Sequence, residues 1–329
     1  MSNQPHCSIV VPTFNGRHLL ETCLASIERH RPDSIALEVI VVDDASSDDT
    51  VSWLMEHHPD VRIVRLPTNG GVCTAANAGI RAARGRFVQL LNNDTEVTAG
   101  WLEAGLAPFA DARVGSVAPL VLMRADPSRV DSAGDGYALT GWPYKRGHNQ
   151  HVRYWEGRPD ETVFGASASS AFYRASALRM VGGFDPAYGS YYEDVDLAFR
   201  LRWVGHSCVF TARSKVLHDV SATFDHTRPA LQRRVARNAE YLFWTNLSTT
   251  ALLLGLMPHL GFTVAQAIWR AGRGRLTPML AGKADAARSW RTLRDRRLDR
   301  RRLARSAIAK PHFPFSVTAA QTLRDSVIR

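Results

Sequence analysis

Short apolar runs punctuate the first part of the chain at residues 8–11, 39–42, 61–66 and 87–91. Each is too short for a helix and suits a buried strand, most clearly the β-branched second run. Between them apolar positions recur at helical spacing. Leu19, Leu20, Cys23, Leu24 and Ile27 follow the first run, Val51, Leu54 and Met55 the second, and an alanine-rich stretch to about Ala83 the third. Strands alternating with amphipathic helices predict parallel βαβ units, in which ligands sit beyond the carboxyl ends of the strands. A polar cluster closes each of these runs or the turn after it, so the clusters are expected to converge on one crevice.

Beyond residue 115 the pattern loosens. Residues 114–122 predict another strand, and 126–160, rich in Gly, Pro, Trp, Tyr and Arg, predict loops and short strands. Residues 164–171 are small and tightly packed. Helices are predicted over 175–181 and 193–204, closed by Gly182-Gly183 and Gly205, with final strands at 207–211 and 215–217. A helical pattern restarts at Pro229 and runs to about Asn246. The expected division is a domain over 1–225, split near 115, followed by a helical region over 226–329.

Charge sharpens that division. The chain of 329 residues carries a net charge of +10, but residues 1–269 hold 25 Lys+Arg against 27 Asp+Glu, and residues 270–329 hold 16 against 4. The basic character belongs to the tail, which argues against nucleic-acid binding by the whole chain. Cys7, Cys23, Cys73 and Cys208 show neither paired nor metal-ligand spacing and are expected as core residues in a reducing compartment. The apolar run after the short polar N-terminus is too short for a signal peptide.

The clusters themselves suggest chemistry. Asn92-Asn93-Asp94 ends an apolar run with oxygen-bearing side chains, which suits a hard divalent cation with a phosphate ligand, and equally an Asx turn. Asp43 and Asp44 close the second strand, where a carboxylate accepts hydrogen bonds from a base or ribose; a helix cap uses the same residues. Asn69-Gly70-Gly71, with Asn77 and Gly79 beyond it, lets backbone approach a ligand at a helix start, or forms a plain turn. Glu193, Asp194 and Asp196 crowd the first turn of a helix, beyond what one cap needs, and a carboxylate there fits a general base. His218 ends an apolar run and fits a metal ligand only in combination with another.

Taken in order, these segments resemble the family 2 glycosyltransferases. Ile9-Val10-Val11-Pro12-Thr13-Phe14-Asn15 is similar to that family's first strand and nucleotide loop, and Val41 to Asp48 to its base-binding segment. Asn69-Gly70-Gly71 through Ile80 follows, then the metal motif at 90–95. Gly183-Phe184-Asp185 with Glu193-Asp194-Val195-Asp196-Leu197 and Arg200 is similar to its acceptor-side block. The resemblance covers about residues 7–220 and looks nearest to the bacterial rhamnosyltransferase-like branch that builds cell-wall or O-antigen glycans.

It implies an α/β GT-A fold, a Rossmann-like mostly parallel sheet with flanking helices. Residues 1–115 would form the nucleotide-binding half and 116–225 the acceptor half. It implies inverting transfer of a sugar, possibly rhamnose, from a dTDP or UDP donor to a glycan or lipid-linked acceptor. Pro12, Thr13, Asn15, Asp43, Asp44, Asn69, Gly71, Asn77, Asn92 and Asn93 would line the donor site, and Asp94 with His218 would hold Mg²⁺ or Mn²⁺. Asp194 would be the base, with Glu193 orienting it or sharing its role. One departure matters: the family's motif is Asp-x-Asp, and Asn92 in its first place removes one charge. Metal affinity then falls, or that position contacts only sugar or ribose.

Two other readings compete. A sugar-nucleotide nucleotidyltransferase needs a basic, Gly-rich loop after the first strand, and residues 12–17 offer only Gly16 and Arg17. An inactive transferase-like membrane binder draws support from Asn92 and is opposed by Glu193-Asp194.

Residues 241–269 contain no Lys, Arg, Asp or Glu, yet Gly255, Pro258, His259 and Gly261 interrupt them. The expectation is an interfacial helical hairpin, with a core-facing helix pair as the alternative. The arginine-rich stretch 288–305 suits anionic lipid head groups. The protein is therefore expected at the cytoplasmic face of the cell membrane, attached peripherally through this tail, with no nucleic-acid partner.

Overall fold

The structure is a computed structural model that describes residues 5–219, 227–310 and 312–313. The first part alternates as predicted: β1 (Cys7–Thr13), α1 (Arg17–Arg29), β2 (Leu37–Asp43), α2 (Thr50–His57), β3 (Arg62–Arg65), α3 (Val72–Ala82) and β4 (Phe87–Leu90). β1 lies between β2 and β4 and is parallel to both, and β3 extends the sheet beyond β2. Successive side chains point to opposite faces. Val10, Ile40, Val42, Val88 and Leu90 therefore join one core, while Ile9, Val11, Val39, Val41 and Phe87 join the other. Burial on both faces explains runs that are continuously apolar rather than alternating.

The second part holds β5 (Thr95–Val97), α4 (Trp101–Leu106), β6 (Val114–Met123), β7 (Asp126–Ser132), β8 (Asp135–Tyr137), β9 (Pro143–Lys145), β10 (Glu161–Val163), β11 (Phe172–Arg174), α5 (Ala175–Val181), α6 (Glu193–Trp203) and β12 (Ser207–His218). β11 enters antiparallel between β4 and β6, and β12 runs parallel to β6. The two final strands expected at 207–211 and 215–217 are one strand. A register shift between Thr211 and Lys215 produces the interruption seen in the sequence. β8 and β9 pair as a separate hairpin. The short β5 pairs antiparallel with the end of β12 and sets His218 opposite Thr95.

The C-terminal part consists of α7 (Pro229–Asn246), α8 (Thr249–Ala271), α9 (Leu276–Arg288) and α10 (Trp290–Leu303). These helices share a core with the preceding half: Tyr137, Phe164, Tyr188 and Phe199 pack with Leu242, Phe243, Leu247 and Leu293. The boundary expected at residue 225 falls in 220–226, outside the described residues.

Two expectations for the tail change. The hairpin expected over 241–269 does not form, because α8 continues through Pro258. Gly255 permits close approach instead of a turn: a Cβ there would come 2.7 Å from the Leu139 carbonyl oxygen. The arginine-rich helix is also not wholly free for lipid. Arg297 donates to the carbonyls of Trp244 and Leu247 and so caps α7, Arg296 pairs with Asp185, and Arg300 is buried against Asp196. All four cysteines are free and buried.

Candidate functional site

The polar ends of β1 to β4 meet at one edge of the sheet and are laced together. Asn15, left-handed at φ 48°, accepts from the Ser47 backbone N–H at 2.8 Å, and its own N–H donates to Ser46 Oγ. The Asn93 amide donates to Thr13 Oγ1 at 3.0 Å. Gly16 admits that contact, since a Cβ there would fall 2.4 Å from Asn93 Nδ2. The two oxygens of Asp44 accept from the backbone N–H groups of Gly70 and Gly71, both at 2.8 Å, which fixes the Asn69-Gly70-Gly71 turn ahead of α3. Gly71 takes φ 78°, a left-handed conformation that favours glycine. Asp43 is buried, accepts from the Ser46 N–H and faces Arg65 at 3.6 Å. Beside it Ala45, Arg65, Leu66 and Pro67 line a pocket of about 330 Å³.

Asn77 stands apart from this crevice. Its amide donates to the Phe184 carbonyl at 2.7 Å and accepts from the Phe184 N–H at 2.8 Å. Both ends brace α3 against the 183–184 turn, a structural role that needs no ligand. Pro12 lies in β1 just ahead of the loop, and Asn69 is exposed at the tip of its turn.

Register brings the expected metal pair together across more than a hundred residues of chain. With His218 opposite Thr95, Nε2 of His218 lies 3.4 Å from Asp94 Oδ1. That oxygen is buried and accepts no hydrogen bond in the structure. Nδ1 of His218 meets Asp131 Oδ2 at 2.9 Å, and Lys145 Nζ donates to both oxygens of the same carboxylate at 2.8 and 3.0 Å. Burial lowers the His218 pKa, but Asp131 and Asp94 outweigh it and hold the imidazole up at about 9. Burial likewise pushes Asp131 up, yet Lys145, His148 and His218 hold it well below the ordinary carboxylate range.

The pair suits a divalent cation: a buried unsatisfied carboxylate oxygen faces an imidazole oriented by a second carboxylate. Among the described residues no group of three or more His, Cys, Asp or Glu side chains could hold a metal by itself. Further ligands would come from other oxygens, such as those of water or a bound phosphate. The Asn92 side chain makes no hydrogen bond to any described residue, while its backbone N–H donates to the Ser169 carbonyl at 2.9 Å.

The 166–170 loop carries the link to the second half of the site. One residue before Ser169, the Ala168 N–H donates to Asp194 Oδ2 at 3.1 Å, and the Val195 N–H donates to Oδ1 at 2.8 Å. Asp194 is half-buried at the start of α6, and burial raises its pKa despite those two donors. Glu193 beside it is more deeply buried, with Oε2 unpartnered; burial and the Asp194 charge push it up to about 8. Asp196, the third acid of the cluster, turns away. It is fully buried and bonds Arg200, Arg300 and Asn246, so its role is to tie α6 to α7 and α10.

Several residues here carry no local sequence signal. Asp131, Asp135 and Lys145 come from the stretch without periodicity. Asp135 is buried with Oδ2 unpartnered, and burial together with the Asp194 charge holds its carboxyl well above the usual range. Asn238, from α7, is fully buried, and its Nδ2 donates to the carbonyls of Tyr188, Ser190 and Tyr191 at 3.0, 3.1 and 2.8 Å. It props the turn in which Tyr191 and Tyr192 both take left-handed φ, 69° and 70°, immediately before Glu193. Such conformations cost non-glycine residues about 1–3 kcal/mol each and persist only where the surroundings impose them.

Comparison with known proteins agrees with this geometry. The family model for glycosyl transferase family 2 matches residues 8–180. The chain is 30% identical over 245 residues to a pre-mycofactocin glycosyltransferase of Mycobacterium tuberculosis, covering 71% of this chain and 45% of that protein. It is 31% identical over 236 residues to an N-acetylglucosaminyl-diphospho-decaprenol L-rhamnosyltransferase of the same organism, covering 64% and 75%. It thus spans less than half the length of the first relative. Among solved structures, a Pyrobaculum calidifontis mannosyltransferase in complex with GDP-Man and Mn²⁺ superposes at a TM-score of 0.54 and 21% identity, covering 94% of this chain and 88% of that one. The sheet, its flanking helices and the family match lead to one conclusion: this chain has the GT-A fold and belongs to glycosyl transferase family 2.

Proposed function

We propose that this protein transfers a sugar, with inversion, from a nucleoside-diphosphate sugar to a hydroxyl of a glycan or lipid-linked acceptor in cell-wall or surface-polysaccharide synthesis. The observation that carries this reading is the joining of two chemically different half-sites by one loop. Asn92, next to Asp94, is bonded to Ser169, and Asp194 is bonded to Ala168.

In this reading Asp43 and the pocket beside Arg65 receive the base and ribose, and Thr13, Asn15, Asp44, Asn69 and Gly71 shape the crevice. The free amide of Asn92 faces sugar or ribose, and Asn93 holds the first loop. Asp94 and His218 hold Mg²⁺ or Mn²⁺, which when bound stabilises negative charge on the departing diphosphate. Asp131 keeps the His218 ring oriented. Asp194 takes the proton of the acceptor hydroxyl as its oxygen bonds to the anomeric carbon. The bond from that carbon to the diphosphate oxygen breaks, and its electron pair leaves with the nucleotide. Burial raises Glu193 and Asp135, which disfavours a second and third negative charge beside the base.

The relative named as an N-acetylglucosaminyl-diphospho-decaprenol L-rhamnosyltransferase supports rhamnose as the sugar and a polyprenol-linked acceptor. The mannosyltransferase bound to GDP-Man shows that this fold also takes a purine nucleotide, so the dTDP or UDP assignment rests on the resemblance of the strand-end segments alone.

A thermal-stabilisation screen of nucleotide-sugars, with and without Mn²⁺, tests the reading through linkage. Stabilisation by dTDP- or UDP-sugars that requires the cation is expected. Stabilisation by none of the donors tried would contradict it.

A further inference from the structure

We propose that the outward face of α8 is a lipid-docking surface that lays the protein on an anionic bilayer with its acceptor side toward the head groups. By length and composition α8 could cross a membrane, yet most of its apolar stretch is not buried within the protein. Its exposed side chains are Leu253, Leu254, Met257, Leu260, Val264 and Ile268, between 47% and 73% accessible. Steps of three and four residues through 253, 257, 260, 264 and 268 put them on one stripe. Scattered exposed leucines are ordinary on soluble proteins; a continuous stripe on one helix is a site of attachment.

The opposite face is fastened to the folded domain, so α8 lies along a surface rather than through it. Nδ1 of His259 meets the Thr140 carbonyl at 2.8 Å, and Nε2 meets buried Glu240 at 3.2 Å. The same ring stacks on Phe243 at 3.8 Å between centroids, and Lys283 donates to Thr263 Oγ1. A spanning helix would have to break these polar contacts inside hydrocarbon, where they cannot be replaced.

Charge selects the occupant. No Asp or Glu occurs between Glu240 and Asp285, and Arg270, Arg273 and Arg275 stand at the end of α8. Arg273 lies over the Trp269 ring, 4.2 Å from its centroid. An apolar stripe ending in tryptophan and arginines matches an acyl boundary under anionic head groups.

The position matters for the acceptor. α8 packs on residues 139–142, the turn joining β8 to β9, whose strands carry Asp135 and Lys145. At its other end Arg270 lies near Tyr192: burial raises that phenol's pKa, and the arginine charge opposes the rise. The stripe thus borders the side of the site where Asp194 opens. This orientation rests on the reading of Asp194 as the base, whereas the docking itself does not.

The test is co-sedimentation of the full chain with vesicles of phosphatidylcholine alone or with phosphatidylglycerol, without donor or acceptor. Binding to the anionic vesicles is expected, with release by high salt or an alkaline wash. The triple variant Leu253→Ser, Met257→Ser, Ile268→Ser should keep its melting temperature and partition about a hundredfold more weakly. Arg273→Glu with Arg275→Glu should weaken binding to anionic vesicles alone. Equal binding by the triple variant, retention after the alkaline wash, or a dimer that the triple variant converts to monomer without any vesicle binding would each overturn the proposal. Because no sugar is transferred in the assay, its failure is distinct from failure of the proposed activity.

Discussion

The two halves of the site are built in opposite ways. On the nucleotide side, loops at the ends of β1 to β4 lock to one another: Asn15 to Ser46 and Ser47, Asp44 to Gly70 and Gly71, Asn93 to Thr13. Each clamp joins neighbouring strand ends of one parallel sheet. On the acceptor side, the proposed base stands on a turn bent into two successive left-handed residues, held by Asn238 from α7 and by Arg300 of α10 through Asp196 of α6. A parallel sheet supplies the first half through its own topology. The second half needs side chains from helices far along the chain, so the C-terminal region supports the turn that carries the proposed base as well as the proposed lipid surface.

Substitutions can separate the halves. Asp194→Asn should cost the most, about 10²–10⁴-fold in kcat, with nucleotide affinity unchanged. Initial rates alongside calorimetric titration would check this, and near-normal turnover would remove Asp194 as the base. Asp131→Asn should weaken the cation on the nucleotide side by about 10–100-fold, because it releases the His218 ring without removing a ligand. Mn²⁺ titration followed by electron paramagnetic resonance reads that directly; unchanged affinity would make Asp131 merely structural.

Asn238→Ala strands three backbone carbonyls beneath the base and should cost about 1–3 kcal/mol of stability. It should lower kcat more than it raises the donor KM. Denaturant melts with a kcat and KM split test this, and a loss confined to donor KM would place Asn238 in the wrong half. Truncation near residue 225 is a poor probe of membrane attachment for the same reason, since it removes this support along with α8.

The smallest effect concerns pH. Burial raises Asp194, and Glu193 lies at about 8. A base with a raised pKa works only above it, so kcat/KM should fall as pH drops through a limb above the usual carboxylate value of about 4. Glu193, at about 8, is still neutral while Asp194 titrates, so Glu193→Gln should leave that limb in place. A limb that moves down in this variant would show that Glu193 carries its negative charge beside the proposed base.

This contrast also explains what could be read from sequence. The strand runs and their polar ends were legible because strand periodicity and strand-end chemistry are local signals; the pairing of Asp94 with His218 came from the family resemblance, and the pairing of β5 with β12 places the two side chains 3.4 Å apart. Asp131 and Lys145 were not, because residues 126–160 form short strands with little periodicity, and their chemistry emerges only when β7 and β9 lie beside the end of β12. The structural role of Asp196 was not legible for a related reason: its partners Asn246 and Arg300 lie 50 and 104 residues away. Nor was the bracing of the Phe184 backbone by the Asn77 amide. The expected hairpin failed because Gly255 signals close packing as readily as a turn.

The most direct test of two joined but separable half-sites is to measure Mn²⁺-dependent affinity for UDP and dTDP in Asp94→Ala, Asp131→Asn and Asp194→Asn side by side. The prediction is a clear loss in the first two and unchanged affinity in the third, which nevertheless transfers sugar about 10²–10⁴-fold more slowly. Equal losses in all three, or undiminished binding in Asp94→Ala, would contradict it.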